Sequence, residues 1–325
     1  MQRRSPLLLV LFLTAVIALT LVGCGDTAKD NVTDQQQLQP LKIGVLPVVD
    51  SLPFYIAEAE GMFKDQGLTV ELIPFPSPQE ISAALQAGQI DGMITDMIVA
   101  GMLKKGGTDL KVATVALGAT PEEGRFAILA APESGIKSVA DLKGKEVAIS
   151  QNSVIEFVLD QILMDAGLAP TDVKKLSVPK IPVRMQILQN NQVAAAVLPD
   201  PMAFLAEQQG ATLVADDTAR SISQSVLVFR QQVLNDNGQG AKGVVEAYGD
   251  AGQALTNNPE RYQDLVAEKA NIPKEIKDTF KVTSFSKPQS PAESDVQQVL
   301  DWMVSKNLLD QPFSYQEFID TEILR

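Results

Sequence analysis

The chain has 325 residues, 45% of them hydrophobic and 21% charged, enough for two domains of ordinary globular composition. Its net charge of −13 disfavours nucleic acid and the long-range steering of anions, although a local site can oppose the net field. It contains no histidine, which excludes Ser-His-Asp catalysis and argues against a zinc-uptake role built on imidazoles.

The chain opens with Arg3 and Arg4 ahead of an apolar run from Leu7 to Val22, broken only by Thr14 and Thr20. A run this short behind basic residues reads as a signal peptide, residues 1–23, rather than a membrane span. The segment Leu21-Val22-Gly23-Cys24 resembles the bacterial lipobox. That resemblance implies that Cys24 carries palmitate and other acyl chains, becomes the mature N-terminus, and anchors the protein on the extracytoplasmic face of a bacterial membrane. Several chains on one residue hold a protein at a surface where a single short chain is marginal. Cys24 is the single cysteine, so no intrachain disulfide can form and no thiol is left for catalysis. Residues 24–40 are polar, rich in Gln and Asp, and read as a flexible tether.

From Leu41 onward short apolar runs alternate with amphipathic stretches. Strands are expected at 41–46, 68–73, 92–94 and 110–117, with helices at 53–60, 77–87 and 96–103 between them. Ser77, three residues before Glu80, forms a capping-box pattern, and Gly88 ends that helix. A second unit repeats the rhythm. Its strands are expected at 126–130, 146–149, 173–176, 193–198, 212–214 and 225–229, its helices at 153–166, 182–189 and 201–209, and a helical turn at 139–142. Such β-α-β-α order argues for mostly parallel sheets flanked by helices. From Gln231 the chain reads as almost entirely helical. Phe126 to Ala130 and Val228-Phe229-Arg230 are taken as the two crossovers between domains. Domain I is then discontinuous, 41–125 and 229–325, and domain II is 126–228. The C-terminal helices, including Val244 to Leu255 and Val296 to Lys306, return to cover the first sheet. The only tryptophan, Trp302, is expected to pack one of them.

Four segments carry a family resemblance. The opening Ile43-Gly44-Val45-Leu46-Pro47, followed by Leu52 to Phe63, looks like the start of the NMT1/THI5-like proteins, the nitrate, sulfonate, taurine and thiamine-precursor group. Gly88-Gln89-Ile90-Asp91, Asp141-Leu142-Lys143-Gly144-Lys145 and Pro199-Asp200-Pro201 resemble further family segments in order and spacing, with Asp200 where the family usually has Glu. The resemblance, from about Leu41 to Phe229, implies a type II periplasmic-binding-protein fold: two α/β lobes joined by two crossovers, with the ligand cleft between them. Asp141 and Gly144 read as a turn device without a binding role.

In open parallel sheets ligands bind at the carboxyl ends of strands, where helix N-termini also point. That rule selects Asp50, Ser51, Phe75, Ser77, Thr95 and Asp96 in the first unit, and Gln151, Asn152, Ser153, Lys180 and Asp200 in the second. Arg125, at the first crossover, is the candidate cationic contact. Each has a plainer alternative. Ser77, Ser153 and Asp96 read equally as N-caps, Asp200 as a helix start, Phe75 as core, Asp50 as a solvated carboxylate and Arg125 as a surface ion pair.

The resemblance implies a monomeric, extracytoplasmic solute-binding lipoprotein of an ABC importer that captures a small molecule by lobe closure, works without a cofactor or bound metal, and docks on a permease served by a cytoplasmic ATPase. The chain lacks a Gly-x-x-x-x-Gly-Lys-Ser/Thr loop and is not that ATPase. The acidic candidate loops favour a vitamin or pyrimidine-type heterocycle over a small oxyanion, with sulfonate, nitrate and amino acids as alternatives. The family also includes a pyrimidine synthase that relies on histidine and cysteines, chemistry this chain lacks, so it is not expected to be an enzyme. A carboxylate enzyme using Asp50 and Asp96, or a sensor docking on a membrane receptor, are the competing functions.

Overall fold

The computed structural model describes residues 39–325. The expected signal peptide, Cys24 and most of the tether lie outside the described residues.

Two five-stranded sheets organise the molecule. In the first half the chain forms β1 (Leu41–Val45), α1 (Leu52–Ala59), α2 (Met62–Asp65), β2 (Val70–Pro74), α3 (Pro78–Gln86), β3 (Gly92–Asp96), α4 (Met97–Lys105) and β4 (Leu110–Leu117). The second unit holds β5 (Phe126–Ala130), β6 (Glu146–Ile149), α5 (Val154–Asp165), β7 (Lys174–Ser177), α6 (Ile181–Gln189), β8 (Ala195–Pro199), α7 (Met202–Gln208) and β9 (Thr212–Asp216). Then come β10 (Ser225–Arg230), α8 (Gln231–Asp236), α9 (Gly238–Asn257), α10 (Gln263–Lys269), α11 (Glu293–Ser305) and α12 (Tyr315–Phe318). Val139–Leu142 is a single 3-10 turn, as its sequence suggests.

The sheet orders are β2-β1-β3-β10-β4 and β7-β6-β8-β5-β9. Each has three parallel strands, an antiparallel fourth and an outer fifth. The antiparallel members correct the expected crossovers. Phe126–Ala130 is no linker: it is β5, hydrogen-bonded between β8 and β9. Likewise, Val228, Phe229 and Arg230 lie in β10 and pair with β3 and β4. The chain therefore passes between the sheets at 118–125 and 217–224. The boundary expected at 228/229 moves back to the stretch before Ser225. An alternating apolar strand signal marks β10 as a strand but not the sheet it joins, which is why the sequence reading put it on the wrong side.

The central strands are buried on both faces. Ile43, Ala127, Ile128, Val147, Val197 and Leu227 are fully enclosed, in keeping with near-continuous apolar runs. In the tail, α9 packs on α1, and α11 on α4, so both cover the first sheet. Helix is interrupted there: 281–292 has no regular secondary structure and touches the first crossover, where Thr283 Oγ1 accepts the Gly124 amide at 2.7 Å. Gly92 opens β3 where backbones come close. A Cβ there would stand 2.7 Å from Phe229 Cδ1 and 2.8 Å from the Val228 carbonyl oxygen. Gly92→Ala should therefore cost about 1–3 kcal/mol by overpacking. Chemical denaturation should show a lowered midpoint with an unchanged slope.

Candidate functional site

Register fixes which strand ends face each other. Ser225 pairs with Asp96 and Leu117, at the carboxyl ends of β3 and β4. Phe126 pairs with Pro199, at the carboxyl end of β8. Both crossovers thus run between the carboxyl ends of the parallel strands of the two sheets, the ends at which open parallel sheets bind ligands. The lobes also touch directly. The Val154 amide of α5 draws on the Asp96 carboxylate at the start of α4. Phe204 meets Phe280 edge-on at 5.7 Å, and Phe157 meets Trp302 at 5.5 Å.

Most expected site residues make local contacts at the ends of their strands. Ser51 is buried and its hydroxyl accepts the Leu46 amide at 3.3 Å, closing the loop after β1. Ser77 caps α3 by accepting from Glu80, and Ser153 caps α5 by accepting from Ile155 while donating to the Ser150 carbonyl at 2.8 Å. Asp96 caps α4, accepting the Val99 amide at 2.8 Å. Phe75 is half-buried against the core of the first sheet. Thr95 is half-buried in β3, beside Val226. Gln151 and Asn152 are exposed. Asn152 turns the chain with a φ of 55°, and its amide donates to Glu156 at 2.8 Å. Lys180 is exposed at the start of α6.

Arg125 takes the plainer of its two roles. It bonds Asp200 at 3.2 Å and Glu207 at 2.6 Å and lies 3.7 Å from Asp216. Burial works to lower its pKa, but hydrogen bonds and charge from Asp200 and Glu207 win and raise it. Asp200 also accepts the Phe204 amide at 3.1 Å, steadying the start of α7. This cluster, with the buried Asp217 accepting the Phe126 amide at 2.8 Å, braces the crossovers.

Asp50 is different. Burial pushes its carboxyl up, more than its polar surroundings hold it down. Asp96 is likewise raised by burial, against the amides of Val99, Val154 and Ile98. Tyr248, from α9, donates to the Asp50 carbonyl at 2.7 Å; burial, with Asp50 and Glu123 nearby, holds its phenol neutral.

A polar seam joins the lobes beside the cleft. Glu156 and Asp160, both buried on α5, share Lys175 of their own lobe, and Lys306 reaches across from the end of α11 to Glu156. Trp302 Nε1 donates to Asp160 at 3.0 Å, and Gln298 to Gln161 at 2.7 Å. The expected packing role of Trp302 thus acquires a partner in the other lobe. Burial would raise Glu156, but Lys306, the Asn152 amide and Lys175 outweigh it and lower its pKa.

One residue at the strand ends escaped the sequence reading. Arg184, on α6, is fully buried and makes hydrogen bonds only to main-chain carbonyls. Its signal was that it is the only charge in the helix Ile181–Gln189. Among the described residues, no cluster of three or more acidic, histidine or cysteine side chains could hold a metal ion.

Residues 49–262 match the family described as NMT1/THI5 like. The chain belongs to the NMT1/THI5-like family. A protein of Escherichia coli (strain K12) named for binding aliphatic sulfonates is 25% identical over 261 residues, 79% of this chain and 80% of that protein. The crystal structure of the periplasmic aliphatic sulphonate binding protein SsuA from Escherichia coli superposes with a TM-score of 0.73 at 23% identity, over 87% of this chain and 92% of that one. The desulfurization enzyme DSZB shares the fold, with a TM-score of 0.66 at 15% identity, over 88% of this chain and 97% of its own. The two-lobed binding-protein architecture implied by the sequence is thereby established for this NMT1/THI5-like chain.

Two outcomes test the roles assigned above. Lys306→Met should cost about 1–3 kcal/mol, because Glu156 stays buried with Lys175 alone. A depressed carboxylate stabilises the fold above its unfolded pKa and loses that contribution as pH falls through its folded value. The difference between Lys306→Met and the parent should therefore shrink in acid, below the ordinary glutamate range, in melts followed by Trp302 fluorescence. Arg125→Met should lower the melting temperature, yet leave the relative affinities for different ligands unchanged in calorimetric titration.

Proposed function

We propose that this chain is the extracytoplasmic solute-binding subunit of an ABC importer and that its ligand is an organic sulfonate. The observation that carries the reading is topological: two similar sheets, linked by two short crossovers, turn their ligand-facing strand ends toward one another. Such a body captures a solute by rotation about the crossovers and presents the closed form to a permease and its ATPase. Lipidation at Cys24 would keep it beside that permease as a monomer. Its named relative is a binding protein rather than an enzyme, which supports capture without turnover.

The sulfonate class comes from the names of the relatives, and the site's charges are compatible with it. The case for a heterocycle rested on acidic loops, and their acids are accounted for otherwise. Asp200 is neutralised by Arg125, Asp96 caps a helix, and burial raises the carboxyls of Asp50 and Asp96 toward the neutral form. The amides at the starts of α4 and α5 are taken by Asp96, Ser153 and Glu156, so the charge an anion would need must come from elsewhere in the second lobe.

A thermal-shift panel of alkanesulfonates, thiamine precursors, pyrimidines, nitrate and amino acids tests the proposal. An alkanesulfonate at 100 times its dissociation constant should stabilise the protein by about 2.7 kcal/mol. A saturable pyrimidine or vitamin response with no sulfonate response would return the ligand to the heterocycle class. Release of a chemically altered product would make the protein an enzyme.

A further inference from the structure

The second lobe holds a positive charge that the protein does not neutralise. The side chain of Arg184 is fully buried, and burial alone pushes its pKa down to about 10, which leaves it protonated at neutral pH. Its Nε donates to the Val197 carbonyl at 2.8 Å and its Nη1 to the Val178 carbonyl at 2.7 Å. Among the described residues Nη2 has no hydrogen-bond partner and no carboxylate lies within ion-pair distance of this guanidinium. Arg125, by contrast, is met by Asp200, Glu207 and Asp216. Taking a guanidinium out of water without a counter-ion is among the costlier things a fold can do.

Its position explains why that cost is tolerated. Side chains of a helix lean toward its N-terminus, and α6 begins just beyond the carboxyl end of β7. Val178 directly follows β7. Val197 lies one residue past Ala196, the last β8 residue paired with β6. Here the chain runs outward from β6 to β7 and returns across β6 to β8, so β6 and β8 part at the topological switch point of the sheet. The guanidinium therefore stands level with Ile149, the last residue of β6.

We infer that Arg184 is the specificity-determining residue of the second lobe, its free Nη2 edge donating to the anionic group of the ligand at the β6–β8 crevice. A planar guanidinium with one edge fixed by main-chain carbonyls and the other unused suits a sulfonate or carboxylate oxygen. The identity of the anion rests on the sulfonate reading above; the need for an anion does not.

Calorimetric titration of the purified protein and its Arg184→Gln and Arg184→Lys variants decides the matter. The probes are ethanesulfonate, propionate, inorganic sulfate and uncharged ethanesulfonamide, with circular dichroism to verify folding. The parent should bind ethanesulfonate at least about 100-fold more tightly than ethanesulfonamide. Arg184→Gln should lose about 100-fold in ethanesulfonate affinity and Arg184→Lys about 10-fold, losses of the size seen when a charged hydrogen-bond partner is removed. A folded Arg184→Gln that binds ethanesulfonate within threefold of the parent overturns the inference and leaves the sulfonate reading standing. A parent that binds propionate or sulfate but no sulfonate, with that binding lost in Arg184→Gln, overturns the sulfonate reading and upholds the inference. A parent that binds none of the three anions overturns both. Should Arg184→Gln fail to fold, the parent's preference for sulfonate over sulfonamide decides alone, and a ratio below tenfold refutes the inference.

Discussion

The whole arrangement depends on two strands that run against their neighbours. Each crossover delivers an antiparallel strand into the opposite sheet: β5 enters the second sheet at the carboxyl end of β8, and β10 enters the first at the carboxyl end of β3. Because these strands run backwards, the crossovers join ligand-facing end to ligand-facing end. Parallel strands there would have required long returns along the sheets. Among the described strands, 118–125 and 217–224 are the spans that carry the chain from one sheet to the other, and both leave from strand ends where the sheets offer loops and helix starts. The acid–arginine cluster of Arg125, Asp200, Glu207 and Asp216 stands beside the first of these spans. The bonds to Asp200 and Glu207 tie Arg125 to α7 and the end of β8.

The two interior arginines show how charge is distributed. Arg125 gathers three carboxylates at the edge of its lobe, whereas Arg184 lies deeper with main-chain carbonyls alone. Carbonyl oxygens satisfy hydrogen bonds but do not supply a full opposing charge, so the second site keeps an electrostatic demand that the first has met. The acids nearest the cleft do not cancel it. Asp96 is spent on capping α4, and burial moves Asp50 toward its neutral form. A chain of net charge −13 can therefore hold a locally cationic crevice, the circumstance the sequence allowed without locating it.

Much of the architecture was legible in the chain because strand and helix signals are local. The runs at 110–117, 126–130 and 146–149 became strands with those same bounds, and the capping pattern at Ser77 became the start of α3. What was not legible was pairing. Val228 reads as a strand residue in any sheet, and only its register against Met93 and Val112 assigns it to the first. The same limit governed the site. Ser153 and Asp96 were found because position after a strand is a local property, but whether Arg125 faced ligand or carboxylate depended on Asp200 and Glu207, 75 and 82 residues away in sequence. Arg184 was overlooked because arginine within a helix ordinarily faces solvent. Its burial is a product of tertiary packing.

The seam between α5 and α11 and the β6–β8 crevice together suggest how closure and recognition are coupled. Glu156, Asp160 and Phe157 of α5 meet Lys306 and Trp302 of the C-terminal segment, contacts that tie the two lobes together. An unneutralised guanidinium buried among main-chain carbonyls carries a desolvation cost. An anion at Nη2 reverses the sign of that contribution, since the same desolvation that penalises a lone charge strengthens an ion pair. On the proposed reading the ligand shifts the population by its differential affinity for the closed state, with Arg184 contributing to that difference. A neutral solute of similar shape would occupy the cleft without relieving the charge. Selectivity for anions and the drive to close would thus have a common origin in Arg184.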